Sequence, residues 1–311
     1  MIDRQLMASN LAGPAIVFLG DGRAGRADLT GAKTAHLSRF AARYPVPHGF
    51  CLTADATDIS LHEPGLRAGL IEAWERLVAW NGSSVLSVAV RSSAVDEDGP
   101  TASFAGQHDT FLNVTGFDAV LDAIERCRAS AWSEQVRAYR QQHGLSVERV
   151  RIAVLVQQMV RADASGVAFS ANPINGRRDE IVVTASYGLG ESVVGGTVTP
   201  DSWVLDATTI DVSSARIGDK RRMTVAIPGG TREVDVPRML RQLPSLTAEQ
   251  VGIVGELVRA LEADTGWPVD IEFAFAGGQL YLLQCRPITT LGGLGTFGSP
   301  SDVAETWRVA S

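Results

Sequence analysis

Apolar runs alternate with stretches of helical spacing along this chain. "LAGPAIVFLG" (residues 11–20) is short and reads as a first strand. "LRAGLIEAWERLVAW" (66–80) repeats its apolar side chains at Leu66, Leu70, Trp74 and Leu77, the spacing of an amphipathic helix. "VLSVAV" (85–90) then predicts a buried strand. One long helix is expected between residues 116 and 143, with Val120, Ile124, Cys127, Ala131 and Trp132 on its apolar stripe. "RIAVLV" (151–156), "GVAFS" (166–170) and "EIVVTAS" (180–186) are further strand candidates. Thr247 followed by Gln250 is a capping-box pattern ahead of "VGIVGELVRALEADTG". The pattern predicts a mixed α/β (α+β) fold in two lobes joined near residues 155–160, with no internal repeat. Residues 1–157 make the first lobe and 158–290 the second. The Gly-rich end, residues 291–311, reads as a linker or tail.

Composition narrows the classes. The 311 residues carry a net charge of −7, which argues against a nucleic-acid groove as the main surface. No run of about 18 apolar residues suggests a membrane span. No basic segment followed by an apolar run marks a secretory leader, so a cytoplasmic protein is expected. Cys51, Cys127 and Cys285 form no CxxC pair and are expected to be reduced, mostly buried thiols. The five histidines are scattered without zinc spacing.

The segment "DIEFAFAGGQLYLLQCR" (270–286) predicts two strands around a Gly-Gly turn. A two-residue turn would pair Glu272 with Leu283 and send Glu272 and Gln284 to opposite faces. A three-residue loop, Gly277-Gly278-Gln279, pairs 272 with 284 and 270 with 286 instead. Asp270, Glu272, Gln284 and Arg286 then share one face. Ile271, Phe273, Phe275, Tyr281, Leu283 and Cys285 form the other. That register sorts polar from apolar residues most cleanly and is the one expected here. A carboxylate facing an amide oxygen can hold Mg²⁺, and an arginine two residues on can hold a phosphate. A solvated strand face with an Asp270–Arg286 ion pair is the plainer reading of the same residues, and the hairpin alone does not decide between them.

Other segments carry similar chemistry. In "VAVRSSAVDEDGPTASFAGQHDTFLNV" (88–114), Arg91 ends a buried strand and residues 96–102 read as a mobile stretch. Gly106 would allow close approach of a backbone N–H to an anion, and Thr110 could add a hydroxyl. "LTGAKTAHL" (29–37) places Lys33 just after Gly31, near an expected helix start where an amine and free N–H groups can hold phosphates. "VQQMV" (156–160) ends a strand and could be a hinge whose backbone reads adenine. "SYGLGESVVGGTVTPD" (186–201) is a Gly-rich loop of weak specificity. Each of these segments alone also fits an ordinary strand end, loop or solvated lysine.

Together, "GAKTAHL", "PVPHGFCLT", "RSSAVDEDGPTASFAGQHDTFLNV", "VQQMV", "GVAFSANP", "ASYGLGESVVGGTVTPD" and "DIEFAF…LYLLQCRPI" resemble, in order, the N-terminal nucleotide-binding domain of the phosphoenolpyruvate synthase, pyruvate phosphate dikinase and rifampicin phosphotransferase family. The resemblance spans residues 15–290. It implies a two-lobed, ATP-grasp-like fold with ATP between the lobes. It also implies that Lys33 and Arg91 contact ATP phosphates, with Gly106 and Thr110 on the phosphate loop. Gln157 and the backbone near Met159 would sit by the adenine. Glu272 and Gln284 would hold Mg²⁺, Asp270 would support them, and Arg286 would neutralise the phosphoryl being transferred.

Two departures stand out. The family's usual GGKG is Gly31-Ala32-Lys33-Thr34 here, which could tighten or reshape the loop. Family enzymes also continue into a swivelling domain whose histidine carries the phosphoryl group. This sequence holds no histidine in such a context, and His108 reads as local to its motif. The leading expectation is therefore an ATP-dependent phosphotransferase module serving a histidine on a separate carrier protein or domain. Direct phosphorylation of a small molecule is the second reading. A nucleotide-binding regulatory protein without turnover is the third.

Overall fold

A computed structural model describes residues 15–82, 85–95, 110–142 and 150–288. The chain divides into two compact units at Met159/Val160, with Pro228–Gly230 grouping with the first.

The first unit is a five-stranded antiparallel sheet. Its strands are β1 (Ile16–Phe18), β2 (Gly49–Leu52), β3 (Ser87–Ala94), β4 (Thr110–Thr115) and β5 (Ile152–Gln158), in the spatial order β1-β2-β5-β3-β4. Four helices accompany it: α1 (Ala27–Phe40), α2 (Pro64–Asn81), α3 (Phe117–Ser130) and α4 (Glu134–Gln142). Strand alternation gives the sheet two different faces. Phe50, Leu52, Val88, Val90, Val154 and Val156 bury one face against α2 and α3. The opposite face carries Val17, Cys51 and Ala153, and α1 packs against β3 and β5. Helix α2 starts where the Glu63 carboxylate accepts the Leu66 N–H, and it ends at the left-handed Gly82.

The single helix expected over 116–143 is two helices. The first stops at Ser130, and the Ser133 hydroxyl accepts the Val136 N–H to cap a new one. Val120, Ile124, Cys127 and Ala131 are buried as expected, but Trp132, in the break, is 44% exposed. Burial pushes the Cys51 thiol up to about 12. All three cysteines are buried and free of disulfides.

The second unit holds a six-stranded antiparallel sheet and a separate hairpin. Its strands are β6 (Ala164–Phe169), β7 (Glu180–Tyr187), β8 (Asp201–Asp206), β9 (Val212–Arg216), β10 (Arg222–Ile227), β11 (Gly230–Asp235), β12 (Val269–Ala276) and β13 (Gln279–Pro287). The order of the large sheet is β13-β12-β6-β7-β8-β9, and β10 pairs with β11. The one-turn helix α5 (Glu191–Val194) brings Val194 onto Val167, Phe169 and Val182. Helix α6 (Ala248–Thr265) packs on β6, β7 and β12 through a buried row that includes Val251, Val254, Val258 and Leu261.

The start of α6 is the capping box that the sequence predicts. Thr247 Oγ1 accepts the Gln250 N–H at 3.2 Å, and Gln250 Oε1 accepts the Thr247 N–H at 2.9 Å. Thr247→Ala should lower stability by about 1 kcal/mol in urea unfolding, the usual value of such a cap. No change would mean that packing alone sets this terminus. Among the described residues, no helix is long and apolar enough to cross a membrane.

Candidate functional site

Four of the expected residues of the first unit lie on or over one sheet face. Arg91 in β3 is the Cα partner of Thr110 in β4 and of Leu155 in β5, and Ala89 is the partner of Gln157. Alternation therefore gives Arg91, Thr110 and Gln157 the same face as Cys51 and Ala153, the face that α1 covers. Lys33 lies in α1. That helix begins at Ala27, earlier than a start at Gly31 would give. Its path nevertheless breaks at Gly31 (φ 73°, ψ 162°), so a second helical start does precede Lys33. Ala32 and Thr34, which stand where the family has glycine, are both buried. Their side chains are absorbed in packing.

Gln157 is 2% exposed, and its side-chain amide donates to the Pro47 carbonyl at 3.1 Å. The Met159 N–H donates to the Ser87 carbonyl at 2.9 Å. Both groups thus tie the end of β5 to its neighbours. Gly106, His108 and the expected mobile stretch 96–102 lie outside the described residues, as does the Gly-rich end from residue 289.

The second unit places the hairpin residues. Glu272 is the Cα partner of Gln284, and Asp270 of Arg286, as expected. The cause differs from the one inferred from sequence. The turn has two residues, Gly277 and Gly278, at φ 56° and 79°. Ala276 pairs with Gln279, and a bulge between Glu272 and Phe273 takes up Leu283 and restores the 272–284 pairing. The expected apolar face changes accordingly: Leu282 is buried beside Ile271, Phe273, Phe275 and Cys285, while Leu283 and Tyr281 are only half-buried.

On the polar face, Arg286 Nε donates to Asp270 Oδ2 at 2.8 Å, and both side chains are largely buried. The ion pair of the plainer reading is therefore present, and it orients Arg286 beside the Glu272–Gln284 pair. Burial, and then the Asp270 charge, pushes the Cys285 thiol well above its usual range, so the sulfur stays protonated and inert. Glu272 and Gln284 supply two hard oxygen donors from directly opposite positions. Among the described residues, no group of three or more His, Cys, Asp or Glu could form a fuller cage. A two-donor set suits Mg²⁺, which keeps waters and takes phosphate oxygens for its remaining positions.

Residues 63–295 match the family model described as "Pyruvate phosphate dikinase, AMP/ATP-binding domain". The chain belongs to this family. Among curated relatives of the dikinase family, a probable phosphoenolpyruvate synthase of Methanocaldococcus jannaschii is 34% identical over 85% of this chain and 26% of that protein. The phosphoenolpyruvate synthase of Pyrococcus furiosus is 40% identical over 75% of this chain and 30% of that protein. A rifampicin phosphotransferase of Streptomyces sviceus is 39% identical over 85% and 34%. The chain thus spans about a quarter to a third of the relatives it matches.

Two features of the structure escaped sequence reading, one in the candidate site and one outside it. Ser93, quoted above only inside its motif, touches the Lys33 turn. Its position two residues from Arg91 was the available signal, because alternation gives both the same face. The other is a fully buried ion pair between Asp201 and Lys220 in the second unit. Lys220 lies in the charged stretch "GDKRR", where no local signal in the sequence marks it as buried.

Proposed function

We propose that this chain is the ATP-activating module of a dikinase-type phosphotransferase with an ATP-grasp-like fold. Lys33 and Arg91 would bind ATP phosphates, with Thr110 and Gly106 beside them. Gln157 and the backbone near Met159 would serve the adenine end. Glu272 and Gln284 would hold Mg²⁺, which when bound neutralises polyphosphate charge. Arg286, held by Asp270, would stabilise charge on the phosphoryl in transit. Phosphoryl transfer asks the protein mainly for positioning and for cations aimed at developing charge, which is what this residue set can supply. The observation that carries the reading is the direct opposition of Glu272 to Gln284 beside the Asp270–Arg286 pair, in a chain of the dikinase nucleotide-binding family.

The acceptor we propose is a histidine on a carrier protein or domain. The experiment has two arms. Mg²⁺–ATP should raise the melting temperature, by the equivalent of about 2.7 kcal/mol at a hundred times Kd. Addition of a His-bearing domain from a family enzyme should then give acid-labile phosphohistidine on that domain. A flat titration to millimolar ATP would refute nucleotide binding. Transfer to a small molecule with no protein phosphorylated would favour a direct kinase. Binding with no turnover under any condition would favour a regulatory role.

A further inference from the structure

Ser93 sits two residues beyond Arg91 in β3, about 7 Å along the strand, so the two side chains share a face. That face is the one under α1. A Cβ added at Gly31 would lie 2.3 Å from both the Ser93 carbonyl oxygen and its Oγ. Only glycine fits there, and the positive φ of Gly31 has the same requirement. The helical path restarts immediately after this contact. The first N–H groups of a helical start have no partners within the helix. One of them, the Thr34 N–H, donates to Ser93 Oγ at 3.3 Å. Ser93 is 1% exposed and Thr34 is fully buried, so water does not stand in for the hydroxyl. Ser93 thus acts as an N-cap supplied by a neighbouring strand.

The strand supplying it is firmly held. β3 pairs on both sides, with β4 through Arg91 and Thr110, and with β5 through Arg91–Leu155 and Ser93–Ala153. Lys33 lies, with Ala32, between the two points of contact with Ser93, Gly31 and Thr34. We infer that Ser93 is a positioning residue: it clamps the Lys33 turn to the strand that carries Arg91 and so fixes the spacing of two cations for a polyphosphate. The inference rests on the ATP reading above. It adds a residue that acts through Lys33 and touches no ligand itself. A serine that merely filled space between α1 and β3 would affect stability and would not distinguish one ligand from another.

The test compares affinities for Mg²⁺–ATP and for adenosine, which lacks the phosphates. Calorimetry is run at a temperature where circular dichroism shows each variant folded. Ser93→Ala should weaken ATP about tenfold, as loss of one buried hydrogen bond can, and change adenosine less than about twofold. In a Lys33→Ala background, Ser93→Ala should have little further effect on ATP. Equal losses for both ligands, no loss for ATP, or fully additive losses with Lys33→Ala would each overturn the role. If Ser93→Ala does not fold, Ser93→Cys carries the same comparison. Its weaker acceptor should give a smaller loss, still confined to ATP, and a loss shared with adenosine would overturn the role there too. Failure of the parent chain to bind ATP would refute the nucleotide reading and this role with it. Normal binding by the parent with an unchanged Ser93→Ala would remove Ser93 alone.

Discussion

Glu272→Ala is expected to abolish Mg²⁺-dependent ATP turnover while leaving the fold intact. Glu272 is half-buried on the polar face of β12, and the core side chains Ile271 and Phe273 point the other way. Its backbone pairings with Gln284 and Val167 do not depend on the carboxylate. Truncation should therefore cost little stability, as surface changes usually do. The chemical cost is large. Of the two donors in the proposed metal pair, Glu272 is the charged one, and the neutral Gln284 amide cannot replace its charge. Removing a single group aimed at transition-state charge typically costs on the order of 10²–10³ in rate, so turnover should fall at least about a hundredfold. Gln284→Ala should fall less. ATP hydrolysis or phosphoryl transfer measured against Mg²⁺ concentration decides this. Unchanged turnover in a folded Glu272→Ala protein would take the hairpin out of the active site.

That pairing shows how far sequence reaches in this chain. The 272–284 opposition was legible because one register separates polar from apolar residues. The device that produces it was not, since a bulge at Leu283 reflects what β12 and β13 can pack against, and the local turn chemistry of Gly277-Gly278 does not encode it. Helix α2 and the Thr247–Gln250 box were legible because their causes lie within a few residues. The break after Ser130 was not, because Trp132 continues the apolar spacing while Ser133 ends it from the far side. Strands β9 to β11 gave no signal. Every residue of β9 is exposed, and period-two alternation appears only where one face is buried. In the site, residue types were legible from their motifs. The contacts that join motifs, Gly31 with Ser93 and Arg91 with Thr110, depend on how α1 and β4 dock on β3, and no single stretch of sequence carries that information.

The contact with the largest expected effect on stability is also non-local. Lys220 and Asp201 are both 0% exposed. Lys220 Nζ donates to Asp201 Oδ1 at 2.5 Å and to the Gly218 carbonyl at 3.0 Å, and it lies 5.6 Å from the centre of the Tyr187 ring. Asp201 also accepts the Gly218 N–H at 2.9 Å, and its Oδ2 accepts the Ser245 N–H at 2.6 Å and the Ser245 hydroxyl at 2.7 Å. One carboxylate thus ties the start of β8 to the segment before β10 and to the approach to α6. Asp201→Ala should lower the stability of the second unit by about 3–5 kcal/mol, the range for stripping one partner from a buried ion pair. The ammonium would keep one carbonyl and a ring face, and the Ser245 and Gly218 donors would lose their acceptor. Lys220→Met should cost less. The carboxylate it leaves behind keeps three donors, and the methionine fills most of the lysine's volume with apolar atoms. Urea unfolding of both variants, followed by circular dichroism, tests the order as well as the size. A loss below about 1 kcal/mol for Asp201→Ala would show that the pair is dispensable. A greater loss for Lys220→Met would show that the ammonium, not the carboxylate, organises this part of the unit.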